Sequence, residues 1–138
     1  FTGVSSFVTF FYTRCNNPLK CSANISRWGE LVHALRAQPG SEAVNTAAIT
    51  YDADFDTPTR LKAYAQLRGV ELGPQDRVFR CSAGLASLQR ALNLSVAQGQ
   101  ATITAHAAEA FILSPTLQVV HHFSREPWTV DEVLSHLK

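Results

Sequence analysis

The sequence predicts an α/β fold: a central, mostly parallel sheet with helices on both faces and an antiparallel hairpin near its C-terminal end. Three observations carry this. Short aromatic and β-branched runs alternate with segments of helical periodicity, the pattern of a parallel sheet. The runs show little polar alternation, as expected of strands buried on both faces. The 138 residues are 46% hydrophobic and 17% charged, enough apolar material for one core and one domain.

The elements follow in order. Residues 4–12 (VSSFVTFFY) read as the first buried strand, broken by the polar TRCNNPLKC. Asn16, Asn17 and Pro18 are loop residues, and Ser22 is an N-cap candidate for a helix running to about Ala37. Ile25, Trp28, Leu31, Val32 and Leu35 share one helical face, and Pro39 and Gly40 stop it. Residues 43–51 (AVNTAAITY) are a second buried strand. Asp56, Thr57 and Pro58 then read as a cap followed by Pro in the first turn of a second helix, closed by Gly69.

Residues 77–81 form a short strand, and Leu85, Leu88 and Leu92 belong to a third helix. The polar stretch 98–106 reads as a loop. Residues 110–113 and 117–123 pair as a hairpin around a turn at 114–116, and Thr129 with Glu132 forms a capping box for the last helix. The order β-α-β-α-β-α-β-β-α is the thioredoxin arrangement. The chain begins at Phe1 without Met, and is read as one thioredoxin-like domain, residues 1–138, excised from a longer chain.

Net charge is +1, and the twelve Lys and Arg form no basic run, so no strong field draws nucleic acid. No stretch approaches the roughly 18 apolar residues of a spanning helix. Three cysteines do not make a disulfide scaffold, and an odd count leaves one thiol over. Chemistry therefore centres on Cys15 and Cys21, between a strand end and a helix N-terminus, where ligands collect in α/β sheets. The helix end and the adjacent Arg14 favour a thiolate, which serves either disulfide exchange or a soft metal. With no Met in the chain, a Met-based copper site is excluded.

Six residues of regular helix would hold the two Cα atoms about 9 Å apart, beyond the roughly 7 Å limit of a disulfide. The segment must loop back, which Asn16, Asn17 and Pro18 allow. The alternative is two unrelated cysteines, one at the surface and one buried.

Several segments together resemble the Sco/SenC family. They are FVTFFYTRC with a nearby second cysteine, YDADFDTPTRLKAYA, AHAAEAFILSP with its lone His, and WTVDEVLSHL. They span almost the whole chain in the family's order. The resemblance implies a thioredoxin fold binding one copper, Cu(I) or Cu(II), through Cys15, Cys21 and His106. Asp52 and Asp56 match an acidic pair near that site. It further implies delivery of copper to, or assembly of, a copper centre such as that of cytochrome c oxidase. The implied partner is the copper-receiving subunit or a thiol-disulfide partner. The implied location is periplasmic or otherwise extracytoplasmic, with a membrane tether outside these residues.

The sequence departs from the family in three places. Five residues separate the cysteines where the family has three. Ser114, Pro115 and Thr116 replace an acidic, glycine-containing turn, and the strands that usually precede the first strand are absent. Two alternatives stay open: a metal-independent thiol-disulfide oxidoreductase with Cys15 as nucleophile and Cys21 resolving, and a degenerate module that only binds a partner.

Cys81 reads as a small buried hydrophobe or a third, resolving thiol. His121 and His122, adjacent on a strand, point to opposite faces. His33 and His136 read as solvated, and Trp28 and Trp128 as packing residues. Asp56 is expected to cap the second helix and Asp52 to shape its loop. Asn24 and Asn93 each open an N-x-S pattern read as a chance match.

Overall fold

The structure, a computed structural model, describes residues 1–94, 96–98, 103–106, 109–124 and 127–137, with the side chains of 42, 96–98 and 103–106 left out of the description. Strand β1 (Ser6–Phe11) is buried at every position and lies at the centre of the main sheet. β2 (Asn45–Thr50) and β3 (Asp76–Arg80) continue the sheet in parallel on one side. β6 (Ala110–Leu113) and β7 (Val119–Phe123) continue it antiparallel on the other, giving the order β3-β2-β1-β6-β7. Both the parallel half and the closing hairpin agree with the sequence reading.

Four helices pack on this sheet among the described residues: α1 (Ala23–Ala37), α2 (Pro58–Gln66), α3 (Leu85–Leu92) and α4 (Val130–His136). None is long and apolar enough to cross a membrane. Alternation along β1 sorts them into two layers. Phe7, Thr9 and Phe11 face α1, α2 and α4: Thr9 bonds Asn24, Phe7 meets Trp128 edge-on at 4.8 Å, and Phe11 meets Tyr64 at 5.5 Å. Val8 faces the other way, where it lines an apolar recess with Ala47, Ile49 and Leu88 of α3.

Two buried polar networks fix α1 to the sheet. Asn24 donates to the Thr9 hydroxyl (2.8 Å) and the Phe10 carbonyl (3.1 Å), and accepts from Trp128 Nε1 (2.8 Å). With its amide so committed and no exposure, Asn24 is no glycosylation acceptor. Trp28 Nε1 donates to Thr46 (2.8 Å), which donates to Asp76 (2.7 Å), itself paired with Arg36 at 2.7 Å. Both tryptophans are thus packing residues, as expected. The α1–α2 approach is closest at Gly29, where a Cβ would come within 3.0 Å of the Gly69 carbonyl oxygen. Gly69, at φ +80°, ends α2 as read from the sequence, with Val70 N–H reaching back to the Ala65 carbonyl.

Three expectations are corrected. Residues 98–106 are not simply a loop: β4 (Val96–Gln98) and β5 (Ile103–His106) form a separate antiparallel ribbon in which Val96 pairs with His106. Polar composition hid a short alternation that pairing stabilises. Ser22 caps nothing with its side chain, because the helix is wound one turn earlier. The last strand opens at Val119, since Leu117 takes φ +63° and Ser114 N–H bonds the Gln118 carbonyl at 2.9 Å. The capping box of Thr129 and Glu132 is present on both sides.

Candidate thiol and metal site

The carboxyl ends of β1 and β2 lie side by side, with Phe11 opposite Thr50 and Tyr51 N–H bonded to the Phe11 carbonyl at 2.8 Å. Asp56, wholly buried, joins the segments that leave them. It accepts from Thr13 N (3.1 Å), from the Thr13 hydroxyl and from the Thr50 hydroxyl (2.5 Å). The cap of α2 falls instead to Thr57, whose hydroxyl accepts from Arg60 N at 3.3 Å. Asp56 therefore does not cap the helix as expected: two threonines draw it inward. Asp52 does shape its loop. Its carbonyl accepts from Phe55 N (3.1 Å) and Asp56 N (2.9 Å), and its carboxylate holds Arg14 Nε at 2.6 Å.

Thr13 and Arg14 so anchored deliver Cys15. The chain then winds a single π-helical turn, Pro18–Ser22, before α1. Asn17 caps it, its side chain accepting from Leu19 N at 3.0 Å, and Pro18 takes the first helical position. Ala23 N–H closes the wide turn on the Pro18 carbonyl. Here the loop-back expected of the long spacing is realised. Cys15 and Cys21 stand in hydrogen-bond contact, Cys15 half-buried and Cys21 2% exposed. Tyr12, buried beneath them, also bonds the Cys15 side chain.

The two thiols differ. Burial raises the Cys15 pKa, but hydrogen bonds from the backbone of Asn17 and Cys21 and from the Cys21 and Tyr12 side chains outweigh it, and the thiol ends below its ordinary value. Burial pushes Cys21 well up. Burial and then the neighbouring Cys15 push the Tyr12 phenol up to about 12.

Of the residues singled out from sequence, Cys15, Cys21, Asp52 and Asp56 come together. His106 ends β5, a strand and not the expected loop, and its side chain lies outside the described residues. Cys81 follows β3, half-buried against the core. Among the described residues no group of three or more His, Cys, Asp and Glu is placed to hold a metal. The donor set described here is two thiols, which suits a soft ion. His122 is engaged by Glu109 at 2.8 Å and His121 stacks on His136 at 3.9 Å, so the adjacent pair does face opposite ways. His136 is exposed as expected, yet it has this ring partner. Sequence reasoning passed over Tyr12, Thr13 and Thr50, and read Asn17 as a loop residue and not as a cap. Only Asn17 carried a signal: an Asn immediately before Pro is a cap followed by its preferred first residue.

A thioredoxin-like fold with two contacting thiols at its first strand-helix junction defines a protein of thiol or soft-metal chemistry. The chain belongs to the SCO1/SenC family, whose model matches residues 1–138. An SCO1/SenC family lipoprotein from Bacillus anthracis has the same fold, with TM-score 0.80 and 15% identity over 99% of this chain and 80% of that one. Yeast Sco1 with copper bound gives 0.72 and 20%, over 98% and 76%. BsSco, a Sco-family cytochrome c oxidase assembly protein in which a disulfide switch was identified, gives 0.75 and 17%, over 99% and 79%. No curated protein matches the sequence.

Proposed function

We propose that this protein carries one copper ion on Cys15 and Cys21, with His106 as third ligand, and passes it to a protein whose copper centre it helps to assemble. A cytochrome c oxidase subunit is the proposed recipient. The observation that carries the reading is the contact between a half-exposed and a buried thiol. Two thiolates suit Cu(I), and an added imidazole extends the site to Cu(II). Copper bound to yeast Sco1 and the assembly role of BsSco support it by family. Transfer is ligand exchange: an incoming donor of the partner takes the place of the accessible Cys15 first, and buried Cys21 lets go last. An extracytoplasmic location is part of the proposal, in keeping with the lipoprotein among its relatives.

Anaerobic titration of the reduced protein with copper tests this. One equivalent per chain is expected, with thiolate-to-Cu(II) charge-transfer absorption when oxidised copper is used. Cys15→Ser and Cys21→Ser should abolish binding, and His106→Ala should weaken Cu(II) more than Cu(I). No tight binding by the parent protein would sink the reading.

The inequality of the thiols supports a second reading, metal-independent thiol-disulfide exchange. The Cys15 thiolate attacks a partner disulfide and expels one partner thiolate. Cys21 then loses its proton and attacks the Cys15 sulfur, releasing the second partner thiol and leaving the chain oxidised by two electrons. Iodoacetamide should alkylate Cys15 well before Cys21. Equal rates would remove this reading.

A further inference from the structure

The Ser22 hydroxyl, which does not cap α1, is taken by another element. It accepts from Arg68 Nε at 3.0 Å and also hydrogen-bonds the Tyr64 side chain. Arg68, just beyond α2, is itself fixed. Its Nη1 donates to the Tyr64 carbonyl at 3.1 Å, and its Cζ lies 3.4 Å from the centre of the Tyr64 ring. That ring meets Phe11, at the end of β1, at 5.5 Å. Ser22 directly follows Cys21 and is the last residue of the π turn. On the other flank, Thr13 and Arg14, directly before Cys15, are bound to Asp56 and Asp52. One stretch, residues 52–68, thus grips the thiol segment on both sides. The grip on Ser22 has the harder task. π winding is rare, and here it adjoins the tighter α winding of α1. Released from Arg68, the turn is free to tighten, which swings the Cys21 side chain about the helix axis and away from Cys15.

We propose that Arg68 is a positioning residue for the thiol pair: through Ser22 it holds the wide turn, and so keeps the Cys21 sulfur against that of Cys15. It acts through Ser22 and Tyr64, not on the sulfurs themselves. Asp56 sets where Cys15 stands, and Arg68 sets how far Cys21 stands from it. That this spacing serves copper or electron transfer rests on the proposed function; the spacing itself does not.

Equilibration of the metal-free protein with glutathione measures that spacing. The Cys15 thiolate attacks glutathione disulfide and expels one glutathione thiolate. Cys21 then loses its proton and attacks the Cys15 sulfur, expelling the second. The pair gives up two electrons and closes one disulfide, and two glutathione thiols are formed, so the equilibrium constant is the effective concentration of one cysteine at the other. R68M keeps the apolar stem and removes the donors, and should lower that constant about tenfold, as for loss of one hydrogen bond from a charged group. S22A should lower it at least as far, and R68M/S22A no further than S22A, since the two residues act along one path. T129A, which weakens a helix cap outside the thiol site, should leave it unchanged. A parent pair that does not close, an unchanged constant in folded R68M or S22A, or an equal fall in T129A would overturn the inference. Copper titration of the same samples separates the two ideas. A constant lowered by R68M in a protein that binds no copper defeats the proposed function alone, and one equivalent of copper with an unchanged constant defeats this inference alone.

Discussion

Replacing Asp56 probes whether the thiol site hangs from the core. The carboxylate is wholly buried and accepts three hydrogen bonds, one from the Thr13 backbone and two from hydroxyls. In Asp56→Ala all three donors lose their acceptor. A buried donor left alone costs about 1–3 kcal/mol, and bonds to a charged group lie in the upper part of that range. The hydroxyls can turn toward other acceptors, whereas the Thr13 N–H cannot. The expected loss is therefore about 3–5 kcal/mol, out of the roughly 5–15 kcal/mol available to a domain. At about 4 °C per kcal/mol for this size, Tm should fall by about 12–20 °C. Asp56→Asn keeps the shape and one acceptor oxygen but turns an amide N–H toward a donor, and should cost about half as much. Thermal and urea unfolding, followed by fluorescence of the buried Trp28 and Trp128, measures both. A loss below about 1 kcal/mol for Asp56→Ala would refute the hydrogen-bond scheme. Because Asp56 positions and does not ligate, the folded Asn variant should keep the parent's copper equivalence.

Three further outcomes are expected. Gly29→Ala gains up to about 1 kcal/mol of helix propensity, yet its Cβ meets backbone atoms of Gly69 and Arg68 at 3.0–3.2 Å, so a net loss of about 1–2 kcal/mol should appear in urea unfolding. Asn24→Leu strands the Trp128 indole N–H, while the Thr9 hydroxyl keeps its bond to the Glu109 carbonyl, and should cost about 1–3 kcal/mol, visible as a lower unfolding midpoint and altered tryptophan emission. Thr129→Ala should cost about 1 kcal/mol at neutral pH. The bonds to Thr129 hold the Glu132 carboxyl below its ordinary value, so its contribution is complete above the unfolded pKa and is lost as pH falls through the folded one. The stability gap between parent and Thr129→Ala should therefore narrow on acidification below about pH 4.5, and a constant gap would count against the capping box.

How much was legible in the sequence depended on the range of the interaction. The strands β1, β2 and β6, the stop at Gly69 and the box at Thr129 announce themselves through neighbouring residues, and all are found. In Asp56-Thr57-Pro58 the cap was expected at Asp56 and is found at Thr57. The choice of Thr57 was made by Thr13, 43 residues away from Asp56, and no local pattern contains it. Likewise the stacking of His121 on His136 and the edge contact of Phe7 with Trp128 join residues that only the fold brings together. The ribbon of β4 and β5 was hidden because its strands are only three and four residues long. At the site, the position of the thiol pair was legible because strand ends and helix starts are local features. The means by which a five-residue gap closes was not, since π winding has no strong sequence signature.

That winding also bears on how such sites change. Part of the stretch between Cys15 and Cys21 is wound into the π turn Pro18–Ser22, which runs straight into α1. Each residue stored as a wider turn can be gained or lost without rebuilding the scaffold. Cysteine spacing is then a poor criterion for membership or for retained chemistry in this fold. What two thiols can do together depends on whether the backbone between them returns to the same point, by whatever number of steps.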